Sequence, residues 1–254
     1  MNQNNLVGAI FLRFASRFLC RRKAFTLAEV LITLGIIGVV SALTLPVLVQ
    51  NYNESKTINI LKQSQSILGQ ALEMAINENG DLSNWGIKHV YSTKESDSII
   101  IAEKLKPFLK LMDDCGTFDS NGKCCPNVTY KYLNGNNYQA FNTHKHYYKV
   151  RLANGASIWW RASNTNEISA IQERRVVFFI DTNSNAKPNS WGKDLFALYA
   201  DNYSIRPVGG KNDPEAGSCV KNLSGTGCAY YVLTKNKVRD DVADVIVNSK
   251  GAMR

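Results

Sequence analysis

One uncharged run, Val30 to Val49, constrains this chain more than any other stretch. It reads VLITLGIIGVVSALTLPVLV, and Glu29 is the only charged side chain between Lys23 and Glu54. Wound as a helix, such a run spans roughly 30 Å, which matches the hydrocarbon core of a bilayer. Five cations (Arg13, Arg17, Arg21, Arg22 and Lys23) precede it, and no acid stands before Glu29. The positive-inside rule therefore predicts a cytoplasmic N-terminus and a translocated C-terminus. The same five cations make up most of the net charge of +9. The basicity belongs mainly to the leader, so it says little about nucleic-acid binding by the remainder.

Three kinds of segment fit this pattern. One is a plain single-span anchor. Another is a secretory signal, with Val40-Ser41-Ala42 offering small residues for a cut after Ala42. The third is a leader cut on the cytoplasmic side. Glu29 separates them, because a carboxylate at that depth costs roughly 2.5–3.5 kcal/mol and calls for a partner.

Residues 22–38, RKAFTLAEVLITLGIIG, resemble the prepilin cleavage and methylation motif of type IV pilins and type II secretion pseudopilins. The resemblance implies a cut by a prepilin peptidase between Ala24 and Phe25, with Phe25 then N-methylated. It implies that Glu29 neutralises an N-terminal amine during assembly with other pilin or pseudopilin subunits in a helical filament. Pro46 falls where type IV pilins often carry a helix-kinking proline, and Ala24 stands where the family usually has glycine. The implied location is the bacterial inner membrane, single-pass, with lipid around the span and a periplasmic head, and then a pilus or pseudopilus.

Downstream of Pro46, Ile60, Leu61, Ile67, Leu68, Ala71, Leu72, Ala75 and Ile76 recur at helical spacing up to the stop signal Asn79-Gly80. This predicts one helix from about Phe25 to Glu78, and a second helix is expected over Ser96–Met112. The period then changes to two. Strands are expected at Val128–Leu133, Tyr138–Asn142, Tyr147–Ala153, Ala156–Arg161, Val176–Asp181, Leu195–Ala200 and Ala229–Thr234, with Asn154-Gly155 as a two-residue turn. The expected architecture is α+β and pilin-like: a long N-terminal helix, transmembrane in its first half, packed on a mostly antiparallel sheet. The expected divisions are 1–24 basic leader, 25–49 membrane-spanning half-helix, 50–79 amphipathic half-helix and 80–254 exported head.

Cys115, Cys124, Cys125, Cys219 and Cys228 lie in that head at spacings that close short loops, as disulfides do in exported proteins. Five is odd, so one thiol is expected to stay free. Asp181, Asn183 and Asn185 repeat the first half of an EF-hand calcium loop, with Asp194 the nearby carboxylate that could close the shell. Gly192 stands where that loop has its bidentate glutamate, and an Asn-rich turn held by its own side chains accounts for the same spacing. Tyr147, Tyr148, Trp159 and Trp160 alternate with Lys145, Lys149, Arg151 and Arg161, a pattern suited to stacking DNA bases beside cations. An ordinary two-faced strand pair has the same pattern. His144 and His146 share a face if extended, but no third zinc ligand is identifiable. No nucleophile elbow, zincin helix or phosphate-binding glycine loop occurs, so the expectation is a non-enzyme. The contrasting possibility is a membrane-tethered ligand- or DNA-binding protein that never polymerises.

Overall fold

The computed structural model describes residues 25–87, 95–163, 176–201, 204–211, 213–220 and 222–238. The leader 1–24, including Ala24, lies outside them.

Helix α1 spans Leu27–Asn79 and runs without interruption through Pro46. Pro46 has no N–H, so the carbonyl of Ala42 lacks its usual donor four residues on. Among the described residues α1 is the one helix long and apolar enough to cross a membrane. The chain divides into two compact units, residues 1–50 and 51–254. In the first, nearly every apolar side chain of α1 is exposed. In the second, Ile58, Leu61, Leu68, Ala71, Leu72 and Ala75 are buried at helical spacing against the sheet.

The head is built on a six-stranded antiparallel sheet in sequential order: β1 Leu111–Gly116, β2 Tyr148–Leu152, β3 Ser157–Ala162, β4 Val176–Asp181, β5 Leu195–Ala200 and β6 Ile205–Pro207. Each strand pairs with the next one in the chain, so every crossover is a simple reversal. Together with α1 the sheet makes the α+β, pilin-like architecture. One sheet face carries Val150, Ile158, Trp160, Phe178, Ile180, Phe196 and Leu198. They pack against α1, α2 (Glu95–Leu105) and α3 (Cys228–Lys235). The other face carries Trp159, Phe179 and Ala197 under a lid that includes Tyr130, Phe141 and Trp191.

This second layer accounts for two of the departures from the expected elements. Val128–Leu133 and Tyr138–Asn142 are apolar at period two but are not strands. They fold on each other through Tyr130 N–H to Gln139 O (3.0 Å) and Tyr138 N–H to Tyr130 O (2.8 Å), and they cover the sheet instead of joining it. Ala229–Thr234, rich in aromatic and β-branched residues, is helical: it forms most of α3, which buries Cys228, Ala229 and Val232 at one-turn spacing. The expected second helix stops at Leu105, because Pro107 sits in the tight turn Lys106–Phe108, and Met112 belongs to β1. β1 and β6 were not anticipated. The β2–β3 turn is three residues long, not two. Leu152 N–H reaches Ala156 O at 2.9 Å, Gly155 N–H reaches Leu152 O at 3.0 Å, and Gly155 alone takes positive φ (88°).

Candidate functional site

At the amino end, Thr26 immediately precedes α1 and closes a reciprocal cap with Glu29. Glu29 N–H donates to Thr26 Oγ1 at 3.2 Å, while Glu29 Oε2 accepts from Thr26 N–H and from its hydroxyl, both at 2.9 Å. Two of the N–H groups that a helix start leaves unpaired are thereby satisfied. Thr26-Leu-Ala-Glu29 is the S/T-x-x-E signature of such a cap, a local signal present in the sequence itself. Glu29 has a partner inside its own chain, a third possibility beside an orphan charge and a neighbour's amine. Phe25, exposed, precedes the cap.

The β4–β5 connection brings Asp181 and Asp194 together at the base of the loop, both essentially fully buried. Asp181 Oδ1 accepts from Asn183 N–H (3.0 Å) and Ser184 N–H (2.8 Å), and its Oδ2 accepts from the Tyr130 hydroxyl. Asp194 Oδ1 accepts from Ser190 N–H (2.6 Å), and Oδ2 accepts from Asn189 N–H (2.7 Å) and Asn183 Nδ2 (3.2 Å). Asn183 thus bridges the two carboxylates. Burial, reinforced by the neighbouring Asp194 charge, pushes Asp181 up to about 8, and burial raises Asp194. Asn185 is exposed and takes no part. Asn189, absent from the expected set, takes its place. Only the folded loop, with its tight reversal at Asn189 (φ 54°), brings that residue back to Asp194.

Residues 19–45 match one family model. The chain carries the prokaryotic N-terminal methylation motif. That motif is the signature of type IV pilins and pseudopilins, and it supports a pilin-like precursor. The match and the long apolar helix together fit anchoring in the inner membrane. No curated protein and no solved structure matches the chain.

Beyond the methylation motif, the head carries two disulfides, Cys115–Cys124 and Cys219–Cys228, each closing a separation of nine residues. Cys125 is free and buried, and burial pushes its thiol well up, so it is a poor nucleophile. Cys115, Asp119 and Cys124 lie close enough to suggest a metal site. Their chemistry does not support one. The two sulfurs are bonded to each other, and the Asp119 carboxylate accepts the N–H groups of Lys123 (3.0 Å), Cys124 (2.7 Å) and Cys125 (2.9 Å).

The aromatic–basic hairpin does not present a stacking surface. Trp159, Trp160 and Lys149 are 0% exposed, and Tyr147 and Tyr148 are buried. Lys149 Nζ instead donates to the carbonyls of Thr117 (2.6 Å), His144 (2.8 Å) and Tyr147 (2.9 Å). The spacing belongs to a sheet covered on both faces. The His144 and His146 rings lie 5.4 Å apart, and burial together with His144 pushes His146 down to about 4. No third histidine, cysteine or carboxylate joins them among the described residues.

Proposed function

We propose that this protein is a structural filament subunit. A prepilin peptidase removes residues 1–24 between Ala24 and Phe25, Phe25 is N-methylated, and the mature chain assembles with other pilin or pseudopilin subunits. On this reading residues 25–49 span the membrane before assembly, 50–79 join the span to the head, and 80–254 form the exported head. The observation that carries the proposal is a coincidence of position. The methylation motif covers residues 19–45, and the long apolar helix begins within it, at Leu27, two residues past the proposed cut. Cleavage there frees an amine one short turn from Glu29, the only charged side chain between Lys23 and Glu54. Two disulfides in the head agree with folding in an oxidising compartment.

A second reading has one observation in its favour. Because Thr26 already satisfies Glu29, a tethered, non-polymerising protein does not leave that carboxylate unpaired. Mass spectrometry of the protein recovered from membranes separates the two. A terminus at N-methylated Phe25 is expected. An intact leader sinks the filament reading in favour of the tether, and a terminus at Leu43 shows a secretory signal.

A further inference from the structure

We propose that His144 and His146 form a surface site for copper(II), with water in the remaining coordination positions. This does not rest on the filament reading. The first argument is the juxtaposition. The centroids of the two imidazole rings lie 5.4 Å apart. Two imidazole nitrogens about 2.0–2.1 Å from one ion hold their rings roughly 4.5–5.5 Å apart, at bond angles from square-planar to tetrahedral. The rings therefore already stand at chelating distance.

The second argument is that the ring nitrogens are uncommitted while the backbone carrying them is fixed. Among the described residues no protein group hydrogen-bonds to either ring, and the ring nitrogens reach solvent. The main chain is held at three points. His144 N–H donates to Phe141 O (3.2 Å), and His144 O accepts from Tyr147 N–H (3.2 Å) and Lys149 Nζ (2.8 Å). The buried Tyr147 ring lies against both imidazoles, 4.2 Å from His146 and 6.4 Å from His144. Rotation about each Cβ–Cγ bond then suffices to aim one nitrogen of each ring at a shared point. Ligands placed in advance lose little freedom on binding.

The surroundings select the metal. Imidazole suits zinc, nickel and copper, whereas calcium and magnesium take oxygen donors. Lys149 and Arg161 stand close enough to His146 to disfavour positive charge there. Against that field, and with two protein ligands, only a strongly coordinating ion stays bound. Copper(II) stands highest in the first-row order.

The test uses the full chain in detergent, purified without a histidine tag and titrated with copper(II) chloride in a non-coordinating buffer. Electron paramagnetic resonance reads the ligands. The expected result is one bound equivalent whose spectrum shows coupling to two imidazole nitrogens. His144→Ala and His146→Ala should each weaken binding by at least about the tenfold that loss of an outer partner costs. Lys145→Ala should not weaken it, nor should replacement of the third histidine, His89→Ala, which lies outside the described residues. Both site variants keep the fold, since neither ring holds a hydrogen bond, and near-ultraviolet circular dichroism verifies this. If one does not, the other decides. Absence of bound copper overturns the site. So does a spectrum without two-nitrogen coupling, or a loss that follows His89 instead of His144 and His146.

Discussion

Glu29 has one use in the structure and a second on the filament reading, and one substitution separates them. The carboxylate closes the Thr26 cap through hydrogen bonds that a carboxamide can also make. Neutralising an amine needs the negative charge. Glu29→Gln therefore keeps the cap and removes the charge. If subunits pair through that charge, the variant should still be cut and inserted, but its filament yield should fall by an order of magnitude or more in sheared-filament immunoblots. Wild-type yield would mean that the cap is sufficient and the charge pairing is wrong. Buried Lys149 shows a related economy. Its place in the aromatic–basic pattern reads as a cation beside a stacking surface, yet its three carbonyl bonds tie the segments around Thr117 and His144 to β2.

At the scale of elements, legibility followed how directly a local pattern meets its final partner. β4 and β5 have the expected bounds, since Val176–Asp181 and Leu195–Ala200 are continuous apolar runs that only a doubly covered strand can bury. The segments around Tyr130 and Tyr138 have the same composition but lie across the sheet. Nothing local distinguishes a strand from the lid that packs on one. The Thr26 cap has a local signature, Thr26-x-x-Glu29, whereas the bond from Asn189 to Asp194 depends on a loop reversal. The strand-like residues of α3 are held helical at a disulfide. Cys228 is its first residue, and a side chain at Gly192 (φ 75°) would come within 2.6 Å of Cys228 Sγ, so the β4–β5 loop and α3 meet there. Replacing Cys219 and Cys228 together by Ala frees a short loop and should cost about 2–3 kcal/mol. Urea unfolding of the oxidised wild type and the double variant measures it. An unchanged midpoint would show that packing alone holds α3.

At the scale of the whole molecule, the chain divides solubility from folding at one point in α1. Residues 27–49 expose Leu31, Ile32, Ile36, Ile37, Val39 and Leu43, among others, whereas the helix beyond residue 50 buries its apolar stripe in the head. The division into units at Gln50 and Asn51 follows the same change. An apolar surface of that extent needs lipid, detergent or neighbouring helices, and among the described residues the core on the sheet is drawn from Ile58 onward. A chain starting at Asn51 should therefore be monodisperse in aqueous buffer. Its melting temperature should lie within a few degrees of the full chain's in detergent, and its near-ultraviolet circular dichroism should be the same, because Trp85, Trp159, Trp160 and Trp191 are all buried in the second unit. The full chain without detergent should aggregate. If the fragment instead lost its near-ultraviolet signal, the first fifty residues would be needed to fold the head, and the separation of the apolar segment from the folded unit would fail.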